Sequence, residues 1–350
     1  MYTNDKTVKV KVGNTFIGGG APVSVQSMLN APAHDIEGNV KQALLLQNAG
    51  CDIVRVSVPD KQTLKTVEAL KKDISIPLVA DIHFDYTLAI ESIAAGADKI
   101  RINPGNIGDE SKVKAVADAC KNAGVPIRIG VNSGSLEKHI LEKYGSPTPE
   151  AMVESGMYHI SLLGKYDFDN IVLSLKSSDT QKMYRAYELA AQVCRYPLHL
   201  GVTEAGTEQM GGIRSAAGIG GLLLRNIGGT VRVSLTDDPV KEVESGIRIL
   251  KAIGLRKGGV RIVSCPTCGR TKIDLVGIAK EAEKRLANIN KDITVAIMGC
   301  VVNGPGEAKE ADIGLAGGDG CGVIFKNGEL LKKVPENALL DELMEEIKKM

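Results

Sequence analysis

Asp52-Ile-Val-Arg-Val-Ser-Val58, a stretch of helical periodicity over Asp60–Lys72, and Pro77-Leu-Val-Ala-Asp-Ile-His-Phe84 read as strand, helix and strand. The outer two are short runs rich in β-branched residues, and the middle one spaces its apolar residues for one helix face. The same alternation extends in both directions. Strand-like runs fall at Val23–Met28, Lys99–Pro104, Pro126–Asn132, Ile171–Ser177, Leu198–Thr203 and Thr230–Leu235. Amphipathic stretches at Val40–Asn48, Ser111–Ala123, Thr180–Cys194 and Pro239–Ile253 lie between them. Eight β-then-α units predict a parallel sheet with right-handed crossovers, and eight is the number that closes an α/β (β/α)8 TIM barrel. A doubly wound open sheet is the competing arrangement.

Ahead of the first unit, Val8–Val12 and Phe16–Ile17 flank Gly13-Asn14, which predicts a hairpin placed to plug the barrel floor. The fifth unit has the longest connection, from about Ser133 to Asn170, with a loop at Tyr144–Pro149 and a helix after it. The rhythm changes past Gly254-Leu-Arg-Lys-Gly-Gly259. From there the pattern predicts a strand at Arg261–Ser264, a helix at Asp274–Ala287, a strand at Thr294–Met298, strands near Ile313 and Val323, and a charged C-terminal helix. The expected organisation is a barrel over residues 1–256 and a small α+β domain over 257–350.

The 350 residues carry 43 basic and 42 acidic side chains, well mixed, so neither a nucleic-acid patch nor an acidic tail is expected. Four Phe, eight Tyr and no Trp argue against base-stacking platforms. No apolar run approaches the length of a membrane span, and the first residues lack the apolar core of a signal peptide. Seven irregularly spaced cysteines do not form a disulfide framework. The expected compartment is the reducing cytoplasm, where free thiols persist.

Charge inside the strand runs is the feature that points to function. Parallel barrel strands are ordinarily near-continuous apolar runs. Here Arg55, Arg101, Arg128, Lys176 and Arg232 sit in five of them, four with a polar residue two positions on: Ser57, Asn103, Ser178 and Ser234. Asn132 lies four past Arg128. A period of two puts each set on one face of its strand, so an inward face would gather the cations at the C-terminal mouth. Asp81 and Glu204 offer only two carboxylates at comparable strand ends. Unpaired buried cations cost several kcal/mol each, so the excess predicts a multiply charged anion, and a diphosphate suits arginine forks. The alternative is that some of these side chains turn outward and pair with helix carboxylates.

His83 shares a strand face with Asp81 and is a candidate proton carrier, or equally a structural histidine. Glu204, ending Gly201-Val-Thr-Glu204, is placed for acid work or for binding a hydroxyl. His34, His139, His159 and His199 read as structural, and Cys51, Cys120 and Cys194 as small buried hydrophobes. The glycines from Gly211 to Gly229 suit either a phosphate cradle at a helix N-terminus or close helix packing.

Cys265-Pro-Thr-Cys268 and Gly299-Cys300-Val-Val-Asn-Gly-Pro-Gly-Glu307 carry the second chemistry. Three thiols at this spacing are soft metal ligands, and a 4Fe–4S cluster would take its fourth from Glu307 or Cys321. The absence of a second Cys-x-x-Cys pair disfavours zinc.

Together, Val25-Gln-Ser-Met28, Asp81-Ile-His-Phe84, Arg101-Ile-Asn-Pro-Gly105, Arg128-Ile-Gly-Val-Asn132, Gly201-Val-Thr-Glu204, Ser264-Cys-Pro-Thr-Cys268 and Met298–Glu307 resemble the 4-hydroxy-3-methylbut-2-enyl diphosphate synthase family over the full length, in its compact bacterial form. The resemblance implies a 4Fe–4S cluster on Cys265, Cys268, Cys300 and Glu307. It implies a substrate site of Arg55, Asp81, Arg101, Asn103, Arg128, Asn132, Lys176, Thr203, Glu204 and Ser234; Arg232 joins them from the strand pattern. Met28-Leu-Asn-Ala31 departs from the family's usual Met-Thr-Asn-Thr, which removes two hydroxyls beside the first strand.

The reaction so implied is the two-electron reductive ring opening of methylerythritol cyclodiphosphate, with flavodoxin or ferredoxin as donor. Glu307 is expected to leave its iron so that the substrate can bind, and Glu204 to supply a proton. A final helix of about fourteen residues would return the chain some 20 Å to the barrel floor. A six-residue linker reaches about 20 Å at most, which favours a head-to-tail homodimer with shared sites. The competing functions are a dihydropteroate-synthase-like transferase and a cluster-bearing iron or redox sensor.

Overall fold

The computed structural model describes residues 3–287, 289–301 and 310–350. The chain forms two compact units, Met1–Arg256 and Lys257–Met350. The first opens with antiparallel strands β1 (Val10–Val12) and β2 (Thr15–Ile17). Eight parallel strands follow: β3 (Ser24–Met28), β4 (Ile53–Ser57), β5 (Leu78–Asp81), β6 (Lys99–Ile102), β7 (Ile127–Asn132), β8 (Ile171–Lys176), β9 (His199–Leu200) and β10 (Thr230–Val231). They pair in the order β8-β7-β6-β5-β4-β3-β10-β9, and a parallel bridge between Leu173 and Leu198 joins the two ends. The sheet is a barrel, not the open doubly wound alternative.

Alternation along the strands sorts the side chains. Val54, Val56, Ile100, Ile102 and Leu173 face outward into the main core beneath the helices. Val10, Val12 and Ile17 of the hairpin pack with Ile53, Val79 and Val172 inside the barrel, so the hairpin closes the floor as its sequence predicts.

Several expectations need correction. The readings Leu198–Thr203 and Thr230–Leu235 overrun β9 and β10, which pair over only two residues each. Beyond that point the backbone leaves the ladder. The long connection after β7 contains an unforeseen helix, Lys138–Tyr144. The glycine-rich stretch is helical over Glu208–Ser215, continues as a π-helix over Ala216–Gly220 and ends at Leu223. Its glycines serve close packing: a Cβ on Gly211 would come 2.5 Å from Leu235 Cδ2, and one on Gly218 2.5 Å from Met183 Cε.

The second unit is a five-stranded sheet ordered β11 (Val260–Ser264), β12 (Ile293–Met298), β13 (Ile313–Gly317), β14 (Cys321–Lys326) and β15 (Glu329–Pro335). The first three are parallel and the last two antiparallel. Helices Leu275–Leu286 and Leu339–Lys349 pack through Leu286, Leu339, Leu343 and Ile347 on Val295, Ile297 and Leu315. Strand β15 was not foreseen, although Asn327-Gly328, both at positive φ (52° and 80°), is a hairpin signal.

Candidate active site

Arg55 on β4, Arg101 on β6, Arg128 on β7, Lys176 on β8 and Arg232 just past β10 all line one cavity of about 250 Å³. Asp81, His83, Asn132 and Thr203 line it too, with Met28, Gly130 and Ser174. Larger clefts of about 460 and 680 Å³ lie among the outer helices, lined mostly by apolar and mixed-charge residues. Volume alone would choose those; convergent charge chooses the barrel. Asn103, Glu204 and Ser234 are not among the lining residues. Asn103 is buried and caps its own turn, accepting from the Gly105 amide at 3.2 Å. Glu204 is exposed, and Ser234 is half-buried beyond β10.

Local geometry explains how so many cations fit. Arg101 lies over Gly130, where a Cβ would come 2.5 Å from its Nε. Lys176 passes Gly201, where a Cβ would stand 3.3 Å from its Cε. Arg55 Nε lies 3.1 Å from Met28 Sδ, and Arg232 Nη1 stands 3.8 Å from the same sulfur, so the thioether separates two guanidiniums. Departure from the family at Leu29 and Ala31 leaves the pocket untouched. Leu29 is buried in the outer core, while Gln42 Oε1 accepts from the Asn30 and Ala31 amides at 2.8 and 3.3 Å.

Two carboxylates answer the five cations. Asp81 accepts from Arg101 Nη1 at 2.9 Å and stands 3.7 Å from Arg55 Nε. Burial alone would raise its pKa; the fields of Arg55, Arg101 and Arg128 outweigh that and hold it at about 2. The second carboxylate is not Glu204, as the sequence suggested, but Glu242 of helix Pro239–Ala252, which forks onto Arg232 at 3.3 Å from both Nε and Nη2. The helix-carboxylate alternative thus holds for one cation of the five, although Arg232 still lines the cavity.

Arg128 and Lys176 make no ion pair among the described residues, and Arg128 Nε and Nη1 have no hydrogen-bond partner. Burial, followed by repulsion from neighbouring cations, holds both pKa values well below their ordinary range. Beneath them Lys99, two residues before Arg101 on β6, is fully buried and its Nζ is unpartnered. Five cations and two carboxylates around the cavity leave a formal excess of three positive charges. An oxyanion carrying two or three charges satisfies those donors.

His83 Nε2 stands 4.0 Å from Asp81 Oδ2 at the half-exposed rim. Glu204 has φ +51°, left-handed for a residue that is not glycine, and its side chain faces solvent just past β9. Of the remaining histidines, His159 is buried with Nε2 2.5 Å from Glu137 Oε1, and that pair packs against Gly105 behind Asn103. Cys51, Cys120 and Cys194 are buried, and burial pushes their thiols up to about 12, 12 and 11, so none is a nucleophile.

In the second unit, Cys265 follows β11 and Cys300 follows β12, two neighbouring parallel strands in which Ser264 pairs with Ile297. The Gly299 amide donates to Cys265 Sγ at 3.2 Å. Cys268 sits in the adjoining turn, where Lys272 N donates to Gly299 O at 2.9 Å. The Arg270 backbone amide lowers the Cys268 thiol below its ordinary pKa. Among the described residues no three potential ligands stand close enough to hold a metal. Glu307 lies outside the described residues. Free thiols at two adjacent strand ends and in the adjoining turn nevertheless suit a cluster in chemical type.

Similarity to known proteins agrees with both units. The GcpE TIM-barrel domain matches residues 7–247, and the GcpE protein C-terminal domain matches residues 261–349. A 4-hydroxy-3-methylbut-2-en-1-yl diphosphate synthase (flavodoxin) of Caldanaerobacter subterraneus subsp. tengcongensis is 59% identical over 98% of this chain and 97% of its own. The protein of the same name from Clostridium perfringens is 57% identical over 97% of each. Among solved structures, a Yersinia pestis dihydropteroate synthase covers 71% of this chain and 100% of its own at a TM-score of 0.51 and 13% identity, which is a likeness of barrel fold alone. Both units are therefore matched along nearly their full length, and the chain belongs to the GcpE family.

Proposed function

We propose that the protein is a flavodoxin-dependent 4-hydroxy-3-methylbut-2-enyl diphosphate synthase, which opens methylerythritol cyclodiphosphate by reduction. The carrying observation is the cavity lined by five cations and Asp81, with Glu242 behind Arg232, a charge excess suited to a diphosphate. The close relatives' names supply the reaction and the electron donor. Two electrons and two protons enter, the ring C–O bond to phosphate breaks, and a hydroxyl oxygen departs as water.

Arg128 and Lys176, which make no ion pair among the described residues, take the diphosphate oxygens. Asp81 keeps Arg55 and Arg101 aligned beside them. Asn132 and Thr203, which line the same cavity, bind the substrate's hydroxyl groups, with Asn103 and Ser234 contributing from the loops behind. Glu204 Oε delivers the proton that leaves with the water oxygen, and His83 relays protons at the rim. Cys265, Cys268, Cys300 and Glu307 hold the 4Fe–4S cluster, which supplies the electrons singly when bound.

Two copies arranged head to tail share their sites, one giving the barrel and the other the cluster. Among the described residues no helix is long and apolar enough to cross a membrane. The seven free cysteines accord with a reducing cytoplasm.

The test is anaerobic turnover of methylerythritol cyclodiphosphate by the iron-reconstituted protein, followed by oxidation of a reduced viologen. Turnover that disappears in Cys300→Ser is the expected result. No turnover at full iron and sulfide occupancy would overturn the reading and favour a sensor.

A further inference from the structure

Glu242 enters the reading above only as a charge balancing Arg232, yet its carboxylate accepts four hydrogen bonds. It lies on the buried stripe of helix Pro239–Ala252 with Val243, Gly246 and Leu250, and is 4% exposed. Oε1 accepts from Arg232 Nη2 at 3.3 Å and from the Leu235 amide at 3.0 Å. Oε2 accepts from Arg232 Nε at 3.3 Å and from Ser27 Oγ at 3.0 Å. Direct pairing of β3 with β10 stops at Val25 and Val231, so past the last ladder bond this carboxylate ties the two strand ends together.

The consequence lies in how a guanidinium divides its donors. One edge of Arg232, Nε and one Nη2 hydrogen, is spent on Glu242. What remains is Nη1 and the other Nη2 hydrogen, a second edge shaped for two oxygens of one phosphate. Among the described residues Nη1 hydrogen-bonds only the Met28 thioether, at 3.8 Å, and Arg232 lines the cavity. A carboxylate held by Ser27 and a backbone amide is itself fixed, so it fixes the direction of that free edge.

We propose that Glu242 is a positioning residue for substrate binding, aiming Arg232 at the diphosphate from outside the cavity. The proposal rests on the diphosphate-binding reading of the cavity. Glu242→Gln keeps the side-chain shape but can accept from only one of its two terminal atoms and removes the charge. Loss of one charge-assisted bond corresponds to a rise of about 10- to 100-fold in KM. The kcat is expected within about threefold, since the group acts on binding in ground and transition states alike.

The experiment is a double-mutant cycle of Glu242→Gln with Arg232→Met, reading KM and kcat for the cyclodiphosphate and, separately, calorimetric binding of inorganic diphosphate to the full chain. If Glu242 acts through Arg232, the double variant binds no worse than Arg232→Met alone. Additive losses, or a KM within twofold of the unaltered protein in Glu242→Gln, would overturn the proposal. Should Glu242→Gln not fold, Ser27→Ala tests the same link, with a two- to fivefold KM rise expected and no change counting against it. If the unaltered protein binds inorganic diphosphate but does not turn over the cyclodiphosphate, the functional reading fails, and the binding arm alone decides the role of Glu242.

Discussion

Lys99, like Arg128 and Lys176, is a buried cation with no ion pair among the described residues. Its Nζ is fully enclosed, with Arg128 and Arg55 as the nearest charges acting on it, and burial followed by those two repulsions holds its pKa well below 10.5. Lys99 acts in turn on the buried His199, while Asp81 is engaged by Arg55 and Arg101. In the unfolded chain the same amine binds its proton up to about 10.4. Between the depressed folded value and that figure, the unfolded state carries more protons, so this residue makes stability rise with pH. Denaturant midpoints of the unliganded protein and Lys99→Met, compared from pH 7 to 10, should show the variant stabilised most at the low end and the gap closing upward. A gap that is constant or widens with pH would sink the idea. Lys99 shows what sequence can say at this scale. Charge within a parallel strand breaks the apolar pattern, which made Arg55, Arg101, Arg128, Lys176 and Arg232 legible. Lys99 passed as the first residue of its strand, and Glu242 as an ordinary acid in a helix's first turn. Only its place on the buried stripe, three residues after Pro239, signalled otherwise.

Elements are well marked in this chain where they pack and poorly marked where they act. The runs for β3 to β8 were readable because β-branched residues fill a surface covered on both sides. The runs for β9 and β10 extended too far because Val202, Val233 and Leu235 keep the pattern after the ladder has ended. The glycine-rich helix after β9 was hidden because its glycines answer to Leu235 and Met183, not to helix propensity. Glu204 stands in that irregular stretch. Its backbone is pinned on both sides, by Thr203 N to Ser177 O at 3.1 Å and by Arg214 Nη1 to Ala205 O at 3.0 Å, and the left-handed φ of +51° follows. A side chain in that conformation costs about 1 kcal/mol relative to glycine. Glu204→Gly should therefore be more stable than Glu204→Ala by about that amount in thermal unfolding, with turnover lost in both. A glycine variant no more stable than the alanine one would show that the backbone relaxes freely there and that no strain is held for function.

At the scale of the molecule, the path of the chain bears on assembly. Helix Pro239–Ala252 follows β10 and returns to the end of the barrel where the strands begin. Arg256, the last residue of the barrel unit, is fastened there: Nη1 bonds Asp52 Oδ2 at 2.8 Å and Nη2 bonds Gly50 O at 3.1 Å. Asp52 immediately precedes β4 and also accepts from the Val25 amide at 2.7 Å, so the anchor sits at the floor of the sheet. Only Lys257, Gly258 and Gly259 separate it from β11. The cavity opens at the mouth, where the strands end. The shared-site arrangement proposed above is tested by complementation. Co-expressed subunits, one carrying Cys300→Ser and the other Arg128→Met, then give a mixed dimer with one intact barrel facing one intact cluster. Each variant alone should be inactive, and the mixture should recover about a quarter of normal turnover when half the dimers are mixed and each holds one working site of two. Equal expression with random pairing and no recovery would place barrel and cluster of one site on the same chain.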